Sequence, residues 1–138
     1  MQSQITQSSQ RILLADDDPV IRHLVKSILR KEGHEVVVAH DGREAIRTLQ
    51  TDANFSAAIF DMMMPHIEGI DIIRHMRTEK RLMRIPVMMI TSEQDLTLMT
   101  NSFAAGATVF LPKPFTTRQL QTMLRMLLKT NRGTSNAK

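Results

Sequence analysis

The chain of 138 residues lacks several features that mark particular classes of protein. It has no cysteine, which excludes disulfide frameworks, thiol nucleophiles and cysteine-ligated metals. No apolar run approaches the roughly 18 residues that a membrane-spanning helix needs. The first ten residues are polar and carry no hydrophobic core of a signal peptide. We therefore expect a cytoplasmic protein that makes no contact with a membrane.

Acidic residues are missing from the last third of the sequence. No aspartate or glutamate follows Asp95, although basic residues continue to the end, and the net charge of the chain is +4. A basic balance favours an anionic partner. No nucleic-acid recognition motif accompanies the charge, so we predict no direct DNA binding and favour an acidic protein partner. Against this background Asp16, Asp17 and Asp18 stand side by side, and that acidic cluster needs its own explanation.

Length and composition predict one globular domain. A chain of this size fits the usual range of about 100–200 residues per domain, and 42% hydrophobic with 23% charged residues is ordinary for a folded protein. The polar ends predict disordered tails at 1–9 and 131–138. The domain is expected to span 10–130.

Short apolar segments alternate with helix-length amphipathic segments along the whole domain. Strands joined by crossover helices are mostly parallel, and apolar runs without strict alternation fit a sheet that is covered on both faces. The sequence therefore predicts an α/β fold, a doubly wound (βα)5 three-layer sandwich with five parallel strands. The predicted strands are Ile12–Ala15, Val36–Ala39, Ala57–Phe60, Val87–Ile90 and Thr108–Leu111.

Helix starts are recognisable from capping residues. Asp18 is the predicted N-cap of the first helix, with Pro19 at the first helical position, and Gly33 is a plausible stop. The third helix is indicated by Ile70, Ile73 and Met76. The other predicted starts are Asp41–Glu44, Ser92–Asp95 and Thr116–Gln119.

Reactive side chains fall at the carboxyl ends of the predicted strands, where ligands of open α/β sheets bind. Asp16 and Asp17 follow the first strand, Asp61 the third, Thr91 the fourth and Lys113 the fifth. Crowded carboxylates repel one another unless a cation joins them, and oxygen ligands without histidine or cysteine select a hard cation such as Mg²⁺. A metal, a lysine and a hydroxyl together suit a transferring phosphoryl group, with one carboxylate as its acceptor.

At this point the chain resembles the receiver domains of two-component response regulators, including the single-domain chemotaxis type. The resemblance covers roughly Arg11 to Leu128. It implies a flavodoxin-like fold with strand order 2-1-3-4-5. The motifs that carry it, in order, are Ile12–Pro19, Ile59–Pro65 with Gly69, Ile90–Ser92, Gly106–Ala107 and Phe110–Phe115.

The resemblance also implies the role of each site residue. Asp61 is the phosphoacceptor, and Asp16, Asp17, Asp61 and the backbone carbonyl of Met63 hold Mg²⁺ or Mn²⁺. Asp16 acts mainly through metal-bound water.

Thr91 and Lys113 are implied to bind the phosphoryl oxygens, and the Lys113–Pro114 peptide bond is implied to be cis. Phe110 occupies the switch position, where it turns inward as Thr91 moves toward the phosphoryl group, although it also fits plain core packing. The chain is then no enzyme beyond its own phosphorylation and dephosphorylation.

The implied partners are a sensor histidine kinase or histidine phosphotransfer protein and a downstream protein target. The downstream target is expected on the surface of helix 4, strand 5 and helix 5. The chain is expected to be a monomer or a weak dimer through that same surface.

Two other functions compete with this interpretation. A phosphorylation-independent binding module with the same fold would not need the five site residues together. An aspartate-nucleophile phosphatase needs a second acid two residues after Asp61, where Met63 stands instead. Met63 is also hypothesised to slow hydrolysis of the aspartyl phosphate, because a thioether cannot hold an attacking water. His66 is expected to be an ordinary surface histidine.

Overall fold

The computed structural model describes residues 9–92 and 96–136, with side chains up to 130. Five strands and five helices alternate along it, as predicted. Within this part of the chain, no helix combines the length and the hydropathy needed to cross a bilayer. The elements are β1 (Arg11–Ala15), α1 (Pro19–Lys31), β2 (Glu35–Ala39), α2 (Gly42–Thr51), β3 (Ala57–Asp61), α3 (Gly69–Arg77), β4 (Val87–Thr91), α4 (Leu96–Ala105), β5 (Val109–Pro112) and α5 (Thr117–Asn136).

The five strands form one parallel sheet in the order β2-β1-β3-β4-β5. This order confirms the doubly wound, flavodoxin-like prediction. All carboxyl ends of the strands lie at the same edge of the sheet, called the carboxyl edge below. The opposite edge is called the amino edge. Because the chain leaves β1 toward β2 on one side and returns to β3 on the other, a crevice opens at the carboxyl edge between β1 and β3.

Two apolar clusters fill the space on either side of the sheet. Alternate strand residues point to opposite faces, so that Leu13 and Phe60 pack with α2 and α3, whereas Leu14 and Ile59 pack with α1 and α5. Every residue of β3 and β4 is buried. The central strands therefore hold their carboxyl ends, and the side chains there, on a rigid base.

Side-chain caps begin the helices where the sequence predicts them. The carboxylate of Asp18 accepts a hydrogen bond from Val20 N at 2.9 Å, and Thr116 and Gln119 cap each other reciprocally. Asp41 caps α2 by accepting from the backbone N–H of Glu44. The Glu44 carboxylate accepts in return from the backbone N–H of His40 and not from that of Asp41, so the predicted capping box is shifted by one residue. The predicted start of α4 at Ser92–Asp95 lies partly outside the described residues.

The carboxyl-terminal boundary of the domain lies later than predicted. α5 continues to Asn136, six residues beyond the predicted boundary at 130. No proline interrupts this segment, and each residue added to an existing helix gains a backbone hydrogen bond without a new nucleation cost. The predicted tail at 1–9 falls outside the described residues except for its last position.

Candidate functional site

The carboxyl edge brings the predicted reactive residues together. Asp16 directly follows β1, Asp61 ends β3 and Thr91 ends β4. Lys113 directly follows β5, and its backbone N–H donates to the carbonyl of Thr91 at 2.8 Å. The bond between Lys113 and Pro114 is cis, as the resemblance implies.

Three carboxylates crowd the crevice. One oxygen from each of Asp16, Asp17 and Asp61 lies within 4.8 Å of the other two. Asp16 and Asp61 are only 1% and 6% exposed, whereas Asp17 is exposed. Like charges so close together in a partly dry environment are unfavourable unless a cation joins them.

Lys113 is the positive group that faces these carboxylates. Its Nζ lies 3.4 Å from Oδ1 of Asp61 and 3.9 Å from Oδ2 of Asp16. One ammonium group cannot balance three carboxylates. The crevice therefore keeps a net negative charge when all three are ionised.

The pKa values of the two buried carboxyls reflect this imbalance. Burial and the neighbouring Asp16 raise the pKa of Asp61 to about 7, although Lys113 opposes the shift. Burial also raises the pKa of Asp16, against the opposing effects of the Asp18 backbone N–H and of Lys113. A bound cation would favour the charged form of both groups.

The donor set fits a hard divalent cation. Oδ1 of Asp16 accepts from the backbone N–H of Asp18 at 2.9 Å. Its Oδ2 is buried and accepts no hydrogen bond from any described residue. A buried carboxylate oxygen that accepts no hydrogen bond, beside two further carboxylates, offers ligands of the kind that Mg²⁺ prefers. The backbone N–H of Met63 bonds to the Asp61 carboxyl, so the predicted ligand Met63 lies beside the acceptor.

Sequence reasoning missed Arg22, which supports the acidic cluster from α1. Its Nη1 donates to the backbone carbonyl of Asp16 at 2.8 Å. An arginine in the second turn of an amphipathic helix is ordinarily solvated, so nothing in the pattern separates it from Lys26 or Arg30. Only the folded chain shows that it fixes the turn after β1.

Gly69 allows α3 to approach the acceptor closely. A Cβ built there would lie 2.6 Å from the carbonyl oxygen of Asp61 and 2.8 Å from Cε of Met89. The backbone N–H of Gly69 donates to the carbonyl of Met62. The preceding loop holds His66 exposed at φ 71°, in the left-handed region. His66 is thus a surface residue, as expected.

Phe110 lies in the core of the face covered by α2 and α3. It is 9% exposed, and its ring centroid lies 5.7 Å from that of Phe103, which is 44% exposed. In the sheet Phe110 pairs with Met89, two residues before Thr91. The predicted switch pair therefore occupies neighbouring strands, with Phe103 on α4 next to it.

Comparison with known proteins identifies the family. The profile of the response regulator receiver domain matches residues 12–125. The chain belongs to this family. Receiver domains bind Mg²⁺ at an acidic pocket, interact with histidine kinases and downstream targets, and are generally non-enzymatic signalling modules.

Individual relatives support the same assignment. The chain is 33% identical over 122 residues to chemotaxis protein CheY1 of Helicobacter pylori. The alignment covers 88% of this chain and 98% of CheY1. It is 33% identical over 121 residues to response regulator MprA of Mycobacterium ulcerans, covering 88% of this chain and 51% of MprA. The chain thus spans nearly all of one relative and about half of the other.

Solved structures share the fold. Chemotaxis protein CheY4 of Vibrio cholerae superposes with a TM-score of 0.81 at 32% identity, covering 87% of this receiver chain and 99% of CheY4. The receiver domain of a sensor histidine kinase from Pseudomonas aeruginosa gives a TM-score of 0.80 at 28% identity, covering 88% and 99%. That structure holds a magnesium ion in its active-site cleft.

Proposed function

We propose that this receiver domain accepts a phosphoryl group on Asp61 from the phosphohistidine of a kinase or phosphotransfer protein, and that the transfer requires Mg²⁺. The observation that carries the proposal is the environment of Asp61. Its carboxyl group is buried among other acids, and the ammonium group of Lys113 lies 3.4 Å away. Such a group is costly to keep ionised alone, and a cation together with a phosphoryl group relieves that cost.

The proposed transfer forms one bond and breaks another. A carboxylate oxygen of Asp61 attacks phosphorus, the P–N bond to the donor imidazole breaks, and its electron pair returns to the imidazole nitrogen. Bound Mg²⁺ supplies charge neutralisation for the phosphoryl oxygens. Asp16 and Asp17 hold the metal, Met63 contributes its carbonyl, and Asp61 completes the set.

Lys113 changes partner in this scheme. Before transfer its ammonium group offsets the charges of Asp61 and Asp16. After transfer it pairs with a phosphoryl oxygen, and the hydroxyl of Thr91 donates to another. The strong charge of the new group makes this exchange favourable.

The start of α1 offers a surface for the phosphodonor. Val20 is 72% exposed and Leu24 is 40% exposed, and both lie within two turns of the acidic residues that precede the helix. Exposed apolar side chains beside a charged crevice are typical of a protein contact. We infer that the donor protein packs here while its phosphohistidine enters the crevice.

The surface of α4, β5 and α5 fits the downstream target. α4 contains no charged residue and exposes Leu96 and Phe103, whereas α5 adds the basic residues Arg118, Arg125 and Lys129. An acidic protein segment with apolar anchors complements this surface. Inward movement of Thr91 and reorientation of Phe110 would reshape it, and any weak dimer is proposed to use it as well.

Intact-mass spectrometry after incubation with acetyl phosphate and Mg²⁺ tests the proposal. We expect one added phosphoryl group, which a chelator prevents and which Asp61→Asn abolishes. Asp18→Asn is the matched control, because Asp18 belongs to the same acidic run but serves as a helix cap and asparagine caps equally well. If the unaltered chain gains no phosphoryl group, it is instead a phosphorylation-independent binding module.

A further inference from the structure

Arg77, the last residue of α3, connects its helix to two other segments at the amino edge. Its Nη1 donates to the carbonyls of Met83 at 2.9 Å and Ile85 at 3.2 Å, both in the loop before β4. Its Nη2 donates to the carbonyl of Gly106 at 2.7 Å, in the turn between α4 and β5. One guanidinium group therefore fixes the entry to both strands that deliver Thr91 and Lys113.

Within the described part of the chain, these carbonyls are the hydrogen-bond partners that the protein gives to this half-buried charge. Among the described residues no carboxylate lies within 4.0 Å of Arg77, and burial lowers its pKa. When a partly buried guanidinium loses a hydrogen bond, the part of it that water cannot reach is left unsatisfied, and this costs free energy. Moving the carbonyl of Gly106 away from Arg77 is therefore unfavourable.

The turn is shaped around this side chain. Gly106 has φ +123°, a conformation that favours glycine. A Cβ at this position would collide with Nε of Arg77 and would approach its Cγ and Cδ to 3.2 Å. The close contact between the turn and the guanidinium group therefore requires a glycine at position 106.

α4 has few other anchors. Ser102 is its only buried residue, and the Ser102 hydroxyl has no hydrogen-bond partner among the described residues. Apart from this, the helix contacts the core mainly through partly buried apolar residues and the ring pair of Phe103 and Phe110. The position of its carboxyl end therefore depends strongly on the turn that Arg77 holds.

We propose that the rearrangement favoured by phosphorylation moves the α4–β5 turn, and that Arg77 is a positioning residue that holds this turn in its present place as a latch and so opposes the rearrangement. This inference rests on the proposed function. A contact made in only one of two states shifts the equilibrium by its own differential free energy. Removing the latch should then make the rearranged state easier to reach, and a phosphoryl analogue should bind more tightly.

The test is the affinity for beryllofluoride with Mg²⁺, measured by titration of fluorophenylalanine-labelled protein. The ¹⁹F resonances of Phe103 and Phe110 report the two elements that the latch controls. Arg77→Met is expected to tighten the apparent affinity by about three- to tenfold and to speed amide exchange at Ala107 and Thr108. Arg77→Lys keeps the charge but cannot reach all three carbonyls, so we expect a smaller change of the same sign.

Arg81→Met is the matched control. Arg81 also donates to two carbonyls, those of Leu49 and Gln50, but at the end of α2 and far from the switch. Arg81→Met should lower the stability of the fold without changing the affinity for beryllofluoride. If Arg77→Met does not fold, Arg77→Lys carries the test alone.

The outcomes separate this inference from the proposed function. An unchanged or weaker affinity in the Arg77 variants, or an equal gain in Arg81→Met, overturns the latch. If the unaltered chain binds no beryllofluoride in the presence of Mg²⁺, the phosphoacceptor function itself fails.

Discussion

Two clusters of charged side chains at opposite edges of the sheet differ in how their charges are balanced. At the amino edge Arg11 pairs with Asp52 at 2.8 Å and Glu35 at 3.2 Å, donates to the carbonyl of Asn54, and lies 4.7 Å from the ring centre of Phe55. At the carboxyl edge three carboxylates share one lysine. The first arrangement is complete as it stands, whereas the second is unbalanced.

This difference indicates where the protein is built to respond. A charge whose partners are all present stabilises the fold and changes little when conditions change. A buried acid without enough positive partners raises the free energy of the free state, and that cost is recovered when a cation or a phosphoryl group arrives. The phosphoacceptor function is therefore expected at the cluster where the folded chain leaves carboxylates uncompensated.

Asp61→Asn should have the largest effect on stability. In metal-free protein at pH 8 it removes a buried negative charge from beside Asp16, and we expect stabilisation on the order of 2 kcal/mol. Denaturant unfolding measures the change. Asp18→Asn, made in the exposed cap, should leave stability within about 0.5 kcal/mol, and destabilisation by Asp61→Asn would contradict the account.

The pH dependence of stability follows from the same group. The pKa of Asp61 rises from 3.8 to about 7 on folding, so between these values the folded state binds a proton that the unfolded state has released. Its contribution to metal-free stability is complete below pH 4 and is lost as the pH rises through 7. Thermal unfolding of the unaltered chain should lose more stability from pH 5 to pH 8 than that of Asp61→Asn.

Arg11→Met tests the amino edge. It leaves Asp52 and Glu35 without their partner and removes the contact with Phe55. Because the side chain of Arg11 is 26% exposed, solvent screens part of the loss, and we expect destabilisation of about 1 kcal/mol. Denaturant unfolding at pH 7 measures it. Stabilisation by Arg11→Met would remove the contrast between the edges.

Met63→Asn should change the lifetime of the aspartyl phosphate and leave the stability of the fold nearly unchanged. Its side chain is 46% exposed and lies two residues after the acceptor. An amide can hold a water near the phosphoryl group, so the aspartyl phosphate should decay severalfold faster, equivalent to about 1 kcal/mol. Intact mass followed over time gives the lifetime. An unchanged or longer lifetime would contradict the hypothesis that Met63 slows hydrolysis.

Most of the fold could be predicted because its signals are local. Each predicted strand lies within one residue of the observed strand at either end, for example Ile12–Ala15 against Arg11–Ala15. Asp61 and Lys113 could be placed at one edge because all parallel strands end there.

The features that the sequence did not predict depend mostly on tertiary contacts. Arg22 and Arg77 bind backbone carbonyls, which every residue offers, so no side-chain pattern marks their partners. Gly106 could be recognised as part of a motif, but its close approach to Arg77 required the folded chain. The end of α5 was missed because Gly133 and polar neighbours resemble a tail in sequence.

The most direct test of the uncompensated carboxyl edge is thermal unfolding at pH 8 with increasing Mg²⁺. The unaltered chain should gain melting temperature with Mg²⁺ concentration, as expected for a ligand that binds only the folded state. Asp17→Asn and Asp61→Asn should lose most of the gain, and Arg11→Met should keep it. A melting temperature that does not respond to Mg²⁺, or a response that survives both aspartate substitutions, would contradict the account.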